Sequence, residues 1–154
     1  MKKLSALHHQ LTTLTFAAIV AVFALSRTCA QTPKPVESNK QMKITIGTNA
    51  FVATLEDNAT AAAFKSLLPV TIKMSELNGN EKLFRLSTDL PTNASKPGTI
   101  QRGDLMIYGP KTVVLFYKTF PTSYSYTRLG RIKDTNGLAA AVGSGSVTVT
   151  FELE

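Results

Sequence analysis

The sequence contains no tryptophan, one cysteine and two histidines. His8, His9 and Cys29 all lie near the N-terminus, so the chain beyond Ala30 has neither histidine nor cysteine. That part of the chain therefore cannot form a Ser-His-Asp or Cys-His catalytic group, a disulfide, or a zinc site built on cysteine or histidine. Acid–base chemistry there is restricted to Asp, Glu, Lys and Tyr, and we expect no cofactor and no metal.

The first thirty residues have the pattern of a signal peptide. Lys2 and Lys3 form a positive start, and residues 14–25 (LTFAAIVAVFAL) form an apolar run that is short for a transmembrane helix. Thr28 and Ala30 are small residues placed at positions −3 and −1 of a cleavage site after residue 30. We therefore predict an exported protein, periplasmic or secreted, with no stable membrane span after processing.

Two alternatives to a cleaved signal peptide remain open. In the first alternative, the apolar run is an uncleaved membrane anchor. The second is a lipoprotein anchored through Cys29, although Ser26 and Thr28 match the residues that usually precede a lipidated cysteine poorly.

Beyond the signal peptide, composition predicts a short linker and one domain. Residues 31–41 (QTPKPVESNKQ) are polar, contain two prolines and lack periodicity, as a disordered linker does. Residues 42–154 then form a single domain with one core.

The whole chain has 17 basic and 10 acidic residues; without the three basic residues of the signal peptide it has 14 and 10, a net charge of +4. Those charges are scattered, which argues against nucleic-acid binding.

Alternating apolar and polar residues predict a mostly β domain. Residues 42–46 and 51–56 read as a hairpin, residues 59–68 as a helix, and residues 147–153 as a final strand. A small second helix begins at Asp134 or Thr135. About eight strands with two helices predict a closed eight-stranded β-barrel with two short capping helices. The side chains that we expect inside it are Ile44, Ile46, Phe64, Val113, Leu115, Val147, Val149, Phe151 and Leu153.

A loop after the strand at residues 112–117 contains the candidate binding residues Tyr124, Tyr126 and Arg128. If the segment is extended, their i, i+2 spacing places them on one side. Tyrosine and arginine are common at binding hot spots, so the row is a candidate ligand surface. The alternative is a lid whose rings are buried on the barrel rim.

Other polar and aromatic residues have simpler interpretations. Glu81 and Asp104 are possible as a carboxylate pair, but Asp104 follows Gly103 and is expected to accept turn N–H groups. Tyr108, Phe116 and Tyr117 are expected in the barrel wall or core rather than against a ligand.

Four segments together resemble the bacterial cyclophilin-like domain proteins. The resemblance covers nearly all of residues 42–154 and implies the eight-stranded cyclophilin barrel with two capping helices. The segments are residues 77–82 (LNGNEK), 91–94 (PTNA), 103–109 (GDLMIYG) and 124–132 (YSYTRLGRI).

Two further segments are similar to the pocket of cyclophilins that catalyse prolyl isomerisation. Residues 83–86 (LFRL) are similar to a Phe-His-Arg-Val segment, and residues 99–104 (TIQRGD) to a Gln-Gly-Gly-Asp turn. The resemblance implies that Arg85 and Gln101 correspond to the pocket arginine and glutamine. The sequence departs from the pattern in a long loop at residues 87–98 and in having no counterpart of the pocket histidine and tryptophan.

We therefore predict noncatalytic binding of a peptide or small ligand in a groove on the side of the barrel. The predicted lining is Arg85, Gln101, Tyr124, Tyr126 and Arg128. The alternative is a weak prolyl isomerase or folding assistant of the cell envelope, in which Arg85 and Gln101 would be the catalytic residues and Arg85 would weaken the amide resonance. A third possibility is a structural or interaction domain without a pocket.

Overall fold

The structure, a computed structural model, describes residues 40–154. The predicted signal peptide and nearly all of the predicted linker therefore lie outside the described residues. The first strand begins at Gln41, one residue before the predicted start of the domain.

The chain forms ten strands and two short helices. Eight strands follow the order expected from the alternating pattern, and two additional strands have only two residues each. The elements are β1 (Gln41–Ile46), β2 (Asn49–Leu55), α1 (Ala59–Lys65), β3 (Val70–Leu77), β4 (Glu81–Arg85), β5 (Thr99–Ile100), β6 (Asp104–Tyr108), β7 (Thr112–Phe116), β8 (Phe120–Pro121), β9 (Thr127–Ile132), α2 (Leu138–Val142) and β10 (Val147–Leu153).

The eight longer strands close into an antiparallel barrel in the order β1-β10-β3-β4-β7-β6-β9-β2. Because β2 pairs with both β1 and β9, no edge strand is left. The predicted mostly β fold, a closed eight-stranded barrel with two short helices, is confirmed. β5 and β8 pair separately in a two-stranded sheet that the sequence pattern did not predict.

The barrel interior is filled by apolar side chains, of which Phe151 on β10 is central. Its ring meets that of Phe64 edge to face, with centroids 5.7 Å apart, so α1 is docked against the final strand. Val149 is also fully buried, whereas Val147 is only partly buried. The prediction for Leu153 is wrong, because this side chain is 48% exposed. The pairing of β10 with β3 ends at Phe151, so no neighbour on that side covers Leu153.

Each helix begins and ends at a defined local feature. The Asn58 side chain accepts a hydrogen bond from the Ala61 amide at 2.8 Å and so caps α1. α1 ends at Lys65, three residues earlier than predicted, and α2 starts later than the predicted Asp134 or Thr135, at Leu138. Gly143 ends α2, and the buried Leu138 and Val142 of that helix join the barrel core.

A polar cluster lies at the ends of β3 and β4. The Lys82 side chain is fully buried, and its ammonium group is bonded to the Glu76 carboxylate and to the carbonyls of Gly143 (2.8 Å) and Gly145 (2.6 Å). The Tyr117 hydroxyl lies 2.9 Å from each Glu76 oxygen. A buried cation needs this number of partners to offset its lost hydration. The cluster ties the segment after α2 to the barrel.

A second apolar cluster lies on the outer face of β4, β6 and β7. Successive side chains of a strand point to opposite faces, so Val113 and Leu115 enter the barrel while Val114 and Phe116 face away from it. The two-stranded sheet β5–β8 contributes to this outer cluster. Its members are Ile100, Met106, Val114, Phe116 and Tyr126, with Leu83 and Phe120 partly buried against them.

Candidate functional site

A cavity of about 440 Å³ lies beside this outer cluster. Its walls come from the end of β3 and the following turn, from the outer faces of β4, β6 and β7, and from the tyrosine loop before β9. The lining residues are Leu77, Asn78, Glu81, Leu83, Arg85, Tyr108, Thr112, Val114, Tyr124 and Tyr126.

Strand alternation places the floor residues of this cavity. Glu81, Leu83 and Arg85 are every second residue of β4 and therefore share its outer face. The register sets Leu83 opposite Val114 and Arg85 opposite Thr112. The floor is consequently apolar in the middle, with an acidic residue at one end of β4 and a basic residue at the other.

Three tyrosines form the aromatic wall. The Tyr108 ring lies 6.1 Å from that of Tyr124, perpendicular to it, and 5.6 Å from that of Tyr126. Tyr126 is 7% exposed and Tyr124 is 62% exposed. The backbone of Tyr126 exchanges two hydrogen bonds of 3.0 Å with Ser95 in the long loop between β4 and β5. The two loop tyrosines thus differ, one anchored and one open to solvent.

Glu81 is the most unusual group of the cavity. Only 8% of this residue is exposed, and its carboxylate makes no hydrogen bond or ion pair with any of residues 40–154. Burial, followed by the nearby charge of Glu76, raises the pKa of Glu81. Burial and then the charge of Glu81 raise the pKa of Tyr126. The charge of Glu81 therefore acts on the hydroxyl group of Tyr126 in this cavity.

Arg85 lies at the opposite end of β4 from Glu81. Its side chain is exposed and makes no ion pair within residues 40–154. Its guanidinium donors are therefore available to a ligand that enters the cavity.

Gln101 and Arg128, two described residues that were predicted to line the groove, are not among the lining residues of this cavity. Gln101 lies in the turn before β6. Its backbone N–H donates to the Asp104 carboxylate at 2.8 Å, and its backbone carbonyl accepts a hydrogen bond from the backbone N–H of Asp104. The turn role predicted for Asp104 is thus confirmed. Arg128 is exposed on β9, and its carbonyl accepts a hydrogen bond from Asn58. The structure brings together Arg85, Tyr124 and Tyr126, and the ligand-binding role of all five residues stays a prediction.

Two lining residues were given other roles by the sequence. Tyr108 was expected in the barrel wall, but it ends β6 on the outer face and is half exposed. Glu81 was considered only as a possible partner for Asp104. The alternation Glu81-Leu83-Arg85 was the signal that would have placed this carboxylate on the same face of the strand as the predicted arginine.

The structure is a closed antiparallel β-barrel with a cavity on its outer face. Cyclophilin-like folds belong to this general class of closed β-barrels. The sequence model of the Cyclophilin-like family matches residues 44–152, and the chain belongs to that family. The resemblance to cyclophilin-like proteins seen in the sequence is thereby confirmed.

Comparison with solved structures supports the same fold. The solution structure of a hypothetical protein from Archaeoglobus fulgidus is similar, with a TM-score of 0.51 and 18% sequence identity. The match covers 75% of this chain and 95% of that one. A search of curated proteins found no significant match.

Two further features are absent from residues 40–154: a helix that could span a membrane and a group of side chains that could hold a metal ion. Within residues 40–154, no helix has the length and apolar character needed to cross a membrane. The same residues contain no group of three or more His, Cys, Asp or Glu side chains arranged to hold a metal ion.

Proposed function

We propose that this cyclophilin-like domain binds a peptide or small ligand, without catalysis, in the cavity on the outer face of β4, β6 and β7. The observation that carries the proposal is a cavity of about 440 Å³ that combines an apolar floor with unpaired charged groups. Ligand pockets in proteins typically have volumes of about 300–1,000 Å³ and a few polar groups among apolar walls.

An extended peptide fits the chemistry of this lining. Arg85 can donate to a peptide carbonyl, because its guanidinium is a planar group of five donors. Leu83 and Val114 offer apolar contact to a ligand side chain, and Tyr124 offers an exposed ring. The solvent-exposed position of Tyr124 allows its ring to pack on a ligand and become buried on binding.

Tyrosine fluorescence provides a direct test of binding. The chain has four tyrosines and no tryptophan, and three of the four line the cavity. We would titrate the protein with blocked pentapeptides, acetyl-Ala-Ala-X-Ala-Ala-amide, in which X is varied over the non-aromatic residues. At least one peptide is expected to change the tyrosine emission, and the change should reach a plateau as the peptide concentration rises.

Variants locate the binding site. Arg85→Ala and Tyr124→Ala are each expected to lower the affinity for the selected peptide by about tenfold or more, since each removes a side chain of a type common at binding hot spots. Arg102→Ala is the matched control, because Arg102 is exposed and does not line the cavity. If no peptide binds, or if the control weakens binding as much as Arg85→Ala, the proposal fails.

Prolyl isomerisation is the second candidate function. It is favoured by the position of Arg85 at a cavity with apolar walls, since a guanidinium that hydrogen-bonds the proline nitrogen lowers a barrier of about 20 kcal/mol. Exchange between the cis and trans forms of a blocked Ala-Pro peptide, followed by NMR, tests it. Catalysis predicts faster exchange with the wild type and Arg102→Ala than with Arg85→Ala; equal rates with and without protein would reject it.

We also propose that the protein is exported, on the strength of the N-terminal sequence pattern. Mass spectrometry of the protein isolated from its own cells is expected to give an N-terminus at Gln31. A diacylglycerol group on Cys29 would establish the lipoprotein alternative, and a chain that still begins at Met1 would reject processing.

A further inference from the structure

Glu81 is a mostly buried residue whose carboxyl group opens onto the cavity and has no hydrogen-bond or ion-pair partner within residues 40–154. Burial of an ionised carboxylate is unfavourable unless a cation or several hydrogen bonds compensate for the lost water. Within residues 40–154 neither is provided to this side chain. Elsewhere in the described structure, the buried charge of Lys82 does have such compensation.

No cation of the described chain is placed to neutralise Glu81. Lys82, the next residue, belongs to the opposite face of β4 and binds Glu76. Arg85 lies four residues along the strand, which corresponds to about 13 Å between Cα atoms. A positive group that pairs with Glu81 would therefore come from outside the domain.

The surroundings of Glu81 suit an organic cation. Tyr108 and Tyr126 lie in the same cavity, and aromatic faces attract ammonium groups through their quadrupole. Leu83 and Val114, next to Glu81 on the cavity floor, suit an alkyl chain that ends in such a group. The combination suits an alkyl-ammonium group, with the apolar residues along its chain and a carboxylate at one end.

We propose that the ligand of this cavity carries an ammonium group, such as a lysine side chain or a free N-terminus of a peptide, that pairs with Glu81. This inference rests on the proposed binding function and names the chemical class of its ligand. Arg85, at the other end of the floor, then binds carbonyl or carboxylate oxygens of the same ligand. The two opposite charges orient the ligand along β4.

Three blocked peptides of the form acetyl-Ala-Ala-X-Ala-Ala-amide test the lysine side chain, with X as lysine, norleucine or glutamate. Norleucine has nearly the shape of lysine without its ammonium group. The lysine peptide is expected to bind about 10- to 100-fold more tightly than the norleucine peptide, the range of a hydrogen bond to a charged group. A fourth peptide, Ala-Ala-Ala-Ala-amide with a free N-terminus, tests the other source of ammonium against its acetylated form.

Glu81→Gln keeps the shape of the side chain and removes its charge. We expect this variant to bind the lysine and norleucine peptides equally, while Glu56→Gln, the same change at an exposed position outside the cavity, keeps the preference. Circular dichroism on each variant verifies that it is folded.

The outcomes separate the two proposals. If both peptides of a matched pair bind the wild type with equal affinity in both comparisons, the cavity binds peptides but the ammonium inference is overturned. If preference for the ammonium form survives in Glu81→Gln, the assignment to Glu81 is overturned. If no peptide of any composition binds, the proposed function fails together with this inference.

Discussion

The ring of Tyr126 meets the ring of Phe116 edge to face, with centroids 5.5 Å apart and planes at 89°. Tyr124, two residues earlier, is not a member of the outer cluster, and among the aromatic rings of residues 40–154 it pairs with that of Tyr108. The sequence left two interpretations of the tyrosine loop, a binding surface and a lid packed on the barrel. The structure favours the packed lid for Tyr126 and leaves the binding surface as the interpretation for Tyr124. Tyr126 is part of the packing, and Tyr124 is free to meet a ligand.

This difference predicts unequal effects of truncation. Tyr126→Ala is expected to lower the free energy of unfolding by about 3 kcal/mol, because it leaves a cavity beside Phe116 and Tyr108. Tyr124→Ala is expected to cost less than about 1 kcal/mol, as exposed positions usually do. Urea unfolding followed by circular dichroism measures both. Equal losses would contradict the division of roles.

Glu81 is expected to make stability depend on pH. Since its pKa is raised in the folded state, its favourable contribution is complete below its ordinary value of 4.5 and is lost as the pH rises through the folded pKa. Glu81→Gln should therefore match the wild type near pH 4 and melt at a higher temperature at pH 7. Glu56→Gln provides the control, with little change at either pH. A Glu81→Gln protein that is less stable at pH 7 would mean that the carboxylate has a stabilising partner.

The Tyr117 hydroxyl predicts an effect at alkaline pH. Burial and the neighbouring Glu76 carboxylate raise its pKa to about 12. Its contribution to stability is present below about pH 10 and is lost as the pH rises towards 12. In an absorbance titration at the tyrosinate band, Tyr117→Phe should remove one late-titrating group. If the variant instead loses a tyrosine that ionises near the ordinary pKa of 10, the Tyr117 hydroxyl is in contact with water.

The barrel core is tested at β10. Phe151→Ala removes a fully buried ring that packs on Phe64 and is expected to cost about 3–5 kcal/mol. Leu153→Ala, on the same strand but half exposed, should cost less than about 1 kcal/mol. Denaturant midpoints of the two variants make the comparison. Similar losses would contradict the inward position of Phe151.

The barrel could be predicted because its strands are long enough to show alternation. The hairpin β1–β2 and the final strand each carry several apolar residues on one face, and this pattern determines which side is buried. Leu153 follows the same alternation, yet it is exposed because its burial depends on where β3 ends. That information belongs to strand pairing and is absent from the local sequence.

The candidate site was predictable only in part, for similar reasons. Arg85 was identified through resemblance to a cyclophilin segment, and the tyrosines through their types and spacing. β5 and β8 have two residues each, too few for any periodicity. The unequal exposure of Tyr124 and Tyr126 depends on the backbone pairing of Tyr126 with Ser95, thirty-one positions away in the chain. Such a nonlocal contact leaves no local signature.

The strands β4 and β7 serve the core with one face and the cavity with the other. Lys82 and Phe84 on β4, and Val113 and Leu115 on β7, face the barrel side, while Leu83 and Val114 between them line the cavity. Mutations at alternate positions thus act on separate properties. Substitutions at positions such as Leu83 and Thr112 are therefore expected to change the shape and chemistry of the cavity and to leave the barrel closed, because its closure depends on their neighbours.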